Sequence, residues 1–475
     1  MGAILGLDRA ALDRARISRD PRFDGKFFIA VTSTGVYCRP VCPSRASNSA
    51  NVRYYATAAE AAEAGFRPCL RCRPEAAPGT PAWLGTSAVV RRALKLIDDG
   101  ALDETSVDAL AADLGIGPRH LHRLFVQHVG ASPMTVAQTR RVHFAKRLLD
   151  DTTLPITHIA LAAGFGSLRR FNSAFRHIYG RAPRELRRQR GGGPADEVIL
   201  RLAFRPPYDW DGVRACLAAR ALPGVERVDA RGYARTVAAD GGHAIVRVRP
   251  IGGERALELS VCGAAPGDLF RLSSAARRMF DLAADPPRIA RAFEADELLA
   301  PLARARPGLR IAGAWDAFEH AVRALVGDRP GAAAAVVARA GRAIAPAADG
   351  LTHVFPSPAA LATADLDGLG LPPARAAAVH ALARAVAGGA LDLAGPSDRV
   401  VAELAALPGF GADLAEDVAL LALGEPDAFP AGDVALRRAA AAGGAPPLTA
   451  RALAARAEAW RPWRGYAACL LRRAR

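Results

Sequence analysis

The chain has 475 residues, 51% of them hydrophobic and 23% charged, with a formal net charge of +16 at pH 7. That length exceeds what one hydrophobic core supports, and at ~100–200 residues per domain it predicts three or four domains. The balance excludes a mostly disordered chain, and no run of eighteen apolar residues marks a spanning helix. The N-terminus MGAILGLDRAALDRARISRD gains charge at once and lacks the apolar core of a signal peptide, so a bacterial-type cytoplasm or nucleoid is expected.

The charge points to a polyanionic partner, most simply nucleic acid. Lysine occurs only at Lys26, Lys95 and Lys146. A GC-rich coding sequence explains the preference for arginine but not the sign of the charge. From Arg119 to Arg190, fourteen Lys and Arg stand against three acidic residues, Asp150, Asp151 and Glu185. The proline- and glycine-rich runs 74–81 and 190–194 read as joints. They separate a small Cys-rich module, a helical module and a larger C-terminal part.

In the first module the spacing is Cys38-x3-Cys42, then 26 residues, then Cys69-x2-Cys72. Two close thiolate pairs divided by a loop make a tetrahedral site for one Zn²⁺. Taken alone, such a site is structural, as in ribbon folds. Its surroundings, FFIAVTSTGVYCRPVCPSR, NVRYY and AGFRPCLRCRP, closely resemble the N-terminal domain of Ada-type adaptive-response proteins over residues 20–75. The resemblance implies repair of methyl phosphotriesters in DNA, with Cys38 as the methyl acceptor and zinc ligand at once. Thr34, Arg45 and Arg67 match family positions near the DNA backbone.

In the second module, SVDALAADLGIGPRHLHRLFVQHVG places Val107, Leu110, Ala111 and Leu114 on one apolar face. Gly115 ends that helix and Gly117-Pro118 opens the next, leaving Arg119, His120, His122 and Arg123 outward. The pattern recurs in PITHIALAAGFGSLRRFNSAFRHIYGRAPREL, where Phe171 and Phe175 anchor a helix exposing Arg169, Arg170 and Asn172. A connecting helix is expected around Val142–Leu149. The doubled pattern resembles the AraC-type DNA-binding module over residues 88–190. Outward Arg and Asn on such helices reach base edges or phosphates.

The C-terminal part opens with strand alternation: Val198, Leu200, Leu202 and Phe204 inward, against Ile199, Arg201, Ala203 and Arg205. Val246 and Val248, then Leu257, Leu259 and Val261, continue it, with a helix over DWDGVRACLAAR. A sheet with one or two helices is expected to about residue 285, and helices alone thereafter.

Residues 397–436 place two apolar-faced helices around Leu407-Pro408-Gly409-Phe410-Gly411. Gly409 and Gly411 let backbone N–H groups at the second helix face a phosphate. A Pro-rich loop and Asp433 follow. A lone loop aspartate is ordinarily a helix cap. Here the hairpin, GLPPARAAAVHALA and WRPWRGYAA resemble the AlkA-type branch of helix-hairpin-helix DNA glycosylases over residues 196–475. The resemblance implies base flipping and removal of alkylated bases, with Asp433 stabilising the developing oxocarbenium. Residues 196–475 contain no lysine, which leaves a monofunctional glycosylase. The chain departs from the family at Asp328-Arg329, usually a Gln pair, at Asp413 and Arg472, usually Trp, and at Asp417, usually Tyr.

The expected fold is thus multidomain, mainly α with α+β. Residues 1–75 form an Ada-type zinc domain, 83–190 an AraC-type double helix-turn-helix, 196–300 an α+β sheet domain, and 301–475 a helix-hairpin-helix glycosylase domain. The resemblances imply a sensor–glycosylase fusion whose partners are double-stranded DNA (methylated backbone, promoter sites, alkylated bases) and RNA polymerase during activation. No membrane and no nucleotide cofactor are expected. The competing expectation is a methylation-switched regulator whose C-terminal part binds DNA without excising bases.

Overall fold

The computed structural model describes residues 4–78, 88–98, 100–187, 197–327, 331–441 and 446–474. The joint residues 79–81 and 190–194, and the Asp328-Arg329 pair, lie outside them. The chain divides into two compact units. One comprises Met1–Pro206, Pro250–Ser274 and Leu282–Ala284; the other comprises Pro207–Arg249, Ala275–Asp281 and Asp285–Arg475. Among the described residues no helix is long and apolar enough to cross a membrane.

The first unit begins with a small sheet of order β3-β1-β2-β4. Its strands are β1 (Phe28–Val31), β2 (Val36–Cys38), β3 (Val52–Tyr55) and β4 (Arg67–Pro68). Every residue of β1 is buried because both sheet faces are covered. Phe27 and Ile29 pack with Leu12 and Tyr54 on one face, and Phe28 and Ala30 with Tyr37 and Ala61 on the other.

The helical module follows the expected grammar. Ser106 caps the helix Val107–Asp113, and Gly117 precedes Pro118 at the first position of Pro118–Val129. Gly130 and Gly180 end Pro118–Val129 and Leu168–Tyr179 at φ 78° and 70°, where an L side chain would be strained. The connecting helix runs from Pro133 to Asp151, longer than Val142–Leu149, since Ser132 caps it and Pro133 starts it.

Not all of the positive charge in this module faces outward. Arg140 and Arg141 both pair with Asp103, and Lys146 with the buried Asp150. Arg73, from the Cys-rich module, reaches Asp150 at 2.9 Å and Asp151 at 3.4 Å. The long helix is buried along most of its length, so Arg140, Arg141 and Lys146 take carboxylate partners inside the fold, while Arg147 lies against the Phe144 ring.

Five more strands follow: β5 (Glu197–Ala203), β6 (Glu226–Asp229), β7 (Gly232–Ala239), β8 (Gly242–Pro250) and β9 (Ala256–Cys262). In the first unit β5 pairs antiparallel with β9, setting Leu200 opposite Leu259 and Leu202 opposite Leu257. The expected alternation stops one pair early. The strand ends at Ala203, Phe204 is half-buried, and Arg205 is fully buried. The Arg205 guanidinium donates to the carbonyl oxygens of Asp24, Ala283, Ala284 and Pro78, which engages four of its five N–H groups away from solvent.

In the second unit Asp209 caps the helix Trp210–Ala219, and β6, β7 and β8 form an antiparallel meander. The stretch beyond residue 285 is not wholly helical. β10 (Arg342–Ala348) and β11 (Leu351–Val354) form a hairpin turned at Asp349-Gly350, with φ 56° and 80°. Two successive positive φ values are what a type I′ turn requires, and Asp-Gly was its sequence signal. The alanine-rich β10 hid it. Helices Ser397–Ala406 and Gly411–Leu421 flank the expected hairpin loop, where Gly409 and Gly411 take φ 79° and 69°.

Candidate functional site

The parallel pairing of β2 with β4 brings the two cysteine pairs together, with Val36 opposite Arg67 and Tyr37 opposite Pro68. The Cys69 N–H donates to the Tyr37 carbonyl at 2.9 Å, and the Cys42 N–H to Arg39 at 3.1 Å. All four sulfurs lie within 4.8 Å of one another. Zn–S bonds of about 2.3 Å in a tetrahedron need sulfurs about 3.8 Å apart, so the cluster fits one Zn²⁺. Hydrogen bonds from Cys38, Cys69 and Cys72 push the Cys42 thiol down. Those from Cys38 first and Cys72 next bring Cys69 to about 6. Cys38 and Cys72 are pushed up by the same sharing of protons, with Cys42 and Cys38 respectively the leading partners. A cation is what lets all four sulfurs be thiolates together.

Cys38, Cys42 and Cys69 are half-buried, whereas Cys72 is buried and accepts the Arg39 N–H at 3.3 Å. Arg39 also donates from Nη1 to the Cys72 carbonyl at 3.1 Å and pairs with Asp24. It therefore braces the site, a role that one more arginine in an arginine-rich chain does not advertise in sequence.

Thr34, Arg45 and Arg67 are all exposed. The Thr34 hydroxyl donates to the Val31 carbonyl in the β1–β2 turn. Arg67 extends over the end of the helix Leu168–Tyr179: a Cβ added at Gly180 would lie 2.8 Å from its Nη1. Arg119, His120 and Arg123 share the exposed face of Pro118–Val129, with Arg123 Nη2 and His120 Nδ1 2.9 Å apart. Arg169 and Arg170 are exposed and Asn172 is half-buried on Leu168–Tyr179.

In the second unit the loop after Gly411–Leu421 ends at Asp433. Its Oδ1 accepts from Ala435 N at 2.7 Å, so Asp433 is indeed the cap of the helix Val434–Ala439. Its Oδ2 accepts from Arg472 Nε and Nη2 at 3.2 and 3.0 Å. Arg472 Nη2 also donates to Asp417 Oδ1 at 2.7 Å, and Asp417 Oδ2 lies 3.1 Å from His320 Nε2. Burial would raise the Asp417 carboxyl, but His320 and Arg472 outweigh it and hold it well below the usual carboxylate range. Asp413 Oδ1 accepts from Gly432 N at 2.7 Å, pinning the residue before Asp433. His320 lies far away in sequence, on the helix Ala317–Val326, and no spacing signals it.

The aromatic residues of WRPWRGYAA serve the core. Trp460, Trp463 and Tyr466 are buried; Trp460 donates to Asp296 at 2.6 Å and Tyr466 to Asp281 at 2.8 Å. Of the expected functional residues, the four cysteines converge, and Asp433 meets Asp417 and Arg472.

Known proteins match all of these parts. Models of the metal binding domain of Ada, a helix-turn-helix domain and the AlkA N-terminal domain match residues 11–75, 110–189 and 199–316. A probable bifunctional transcriptional activator/DNA repair enzyme AlkA from Mycobacterium tuberculosis is 42% identical over 468 residues, covering 96% of this chain and 94% of that protein. The chain belongs to this AlkA-type bifunctional family. DNA-3-methyladenine glycosylase 2 of Escherichia coli is 33% identical over 275 residues, 56% of this chain and 94% of its own. In fold, the 3-methyladenine DNA glycosylase of Archaeoglobus fulgidus superposes with a TM-score of 0.50 at 20% identity, covering 57% of this chain and 96% of that one.

In this member of the AlkA-type bifunctional family, Asp417 and Arg472 stand where the sequence reading expects aromatic side chains. The two residues form an ion pair 2.7 Å long, so an expected aromatic pair is replaced by a complementary charged one. Asp413 is likewise engaged, through Gly432.

Proposed function

We propose that the chain is an alkylation-response protein that repairs methyl phosphotriesters, switches transcription and excises alkylated bases of the 3-methyladenine type. The observation that carries the reading is the cluster of four sulfurs within 4.8 Å of one another. Zinc, when bound, keeps those sulfurs as thiolates, the nucleophilic form. Cys38 Sγ attacks the methyl carbon of the phosphotriester. The S–C bond forms, the C–O bond breaks, and the phosphodiester leaves as the anion with the electron pair. The thioether has no route back, so the protein is consumed once per event. Methylation removes one negative charge from the cysteine cluster, which lowers repulsion from DNA phosphates. The double helix-turn-helix then holds promoter DNA through Arg119, His120, Arg123, Arg169, Arg170 and Asn172, and the activated complex recruits RNA polymerase. Thr34, Arg45 and Arg67 contact the methylated backbone.

The C-terminal half flips the damaged base. Gly409 and Gly411 present backbone N–H groups to a phosphate. Asp433 opposes the positive charge that develops as the N-glycosidic bond breaks, and water adds to the sugar. The working boundaries are 1–75, 83–190, 196–300 and 301–475, and the site of action is the bacterial cytoplasm and its nucleoid.

Two assays test this. After incubation with methylated DNA, intact mass and peptide mapping should place one methyl group on Cys38. A duplex carrying methylated purines should lose those bases. The regulator-only reading is favoured by one observation, the Arg472 guanidinium on Asp433 Oδ2, and failure of base release with intact methyl transfer would select it.

A further inference from the structure

We infer that Asp417 is a positioning residue for the excision chemistry: by neutralising Arg472 it leaves Asp433 with an uncompensated negative charge. The inference rests on the glycosylase reading above and deepens it.

Asp433 uses Oδ1 to cap its own helix and Oδ2 to accept two N–H groups of Arg472. Were Arg472 its partner alone, carboxylate and guanidinium would cancel. A neutral pair gives little electrostatic stabilisation to an oxocarbenium. Asp417 prevents this. It takes Arg472 Nη2 at 2.7 Å, closer than the 3.0 and 3.2 Å contacts to Asp433. The formal charges of Asp417, Arg472 and Asp433 sum to one negative charge. His320 orients the other Asp417 oxygen at 3.1 Å. The cluster retains some solvent access, with side-chain exposures of 20% for Asp417, 24% for Asp433 and 28% for Arg472. All three side chains are therefore partly accessible, and Asp417 acts on Asp433 through the guanidinium they share.

The test uses the full-length zinc-loaded protein and duplex DNA treated with dimethyl sulfate, reading release of methylated purines in single turnover. Asp417→Asn should slow release on the order of 10²-fold, as expected for loss of one preorganised charge. Asp417→Glu should recover most of that rate. Adding Arg472→Met to Asp417→Asn should also restore it, because removing both charges returns the net charge to Asp433. Equal rates for the original protein and Asp417→Asn would overturn the inference. So would a double variant no faster than Asp417→Asn, or equal losses in Asn and Glu, since these would make the role one of packing. If the unsubstituted protein releases no base, the glycosylase reading itself fails, a result distinct from all of these.

Discussion

The Tyr37 hydroxyl lies 2.9 Å from Nε2 of His143, tying the residue before Cys38 to the middle of the Pro133–Asp151 helix. Desolvation, with the Arg147 charge second, pushes His143 down to about 3 from its ordinary 6.5. A depressed folded value means that the unfolded chain binds the proton first as pH falls. The contribution of His143 is therefore fully present above about 6.5 and is lost progressively between there and about 3. Replacing His143 with Gln should flatten the pH dependence of unfolding in that window by up to one proton. An identical slope in both proteins, measured by denaturant titration at a series of pH values, would count against a neutral buried imidazole.

The zinc cluster should be structural and reactive together. Cys42→Ser, Cys69→Ser and Cys72→Ser should each release zinc and loosen residues 20–75, because small four-cysteine modules fold on their metal. Metal analysis and hydrogen exchange check this. Cys38→Ser should abolish methyl uptake as well. Methyl label on that variant after exposure to methylated DNA would name a different acceptor.

Asp433→Asn should lower base release on the order of 10²–10³-fold by removing one preorganised charge. An Asn oxygen can still accept from Ala435 N, so the helix cap survives. DNA affinity should therefore hold, and a matching loss of binding would show that the change disturbs the loop rather than the chemistry.

Arg205→Met should destabilise the first unit by about 3 kcal/mol, because the carbonyls of Asp24, Ala283, Ala284 and Pro78 lose a buried donor. Chemical unfolding followed by a probe in that unit measures it. A shift under about 1 kcal/mol would mean that water replaces the guanidinium.

Methylated protein should bind promoter DNA more tightly than unmethylated protein, and the gain should shrink as salt rises and screens the charge. Equal affinities at low salt would remove the switch.

Much of this protein was determined by the sequence alone. The cysteine spacing set a four-thiolate cluster, because ligands close along the chain need only one strand pairing to converge. The helix-turn-helix pair was legible because glycine, proline and apolar periodicity are local signals, and Gly117-Pro118 and Gly180 act within a turn of their own positions. The Asp349-Gly350 hairpin carried its signal in two residues, but an alanine-rich strand has no apolar alternation to announce it. Partnership was decided only by the tertiary structure. Arg39 bracing Cys72, Arg205 among backbone carbonyls, and Arg472 shared between Asp417 and Asp433 join residues separated by 33 to 181 positions. A charged side chain looks the same in sequence whether solvent or a buried carboxylate awaits it. Only the packing of distant segments determines which of the two lowers its free energy.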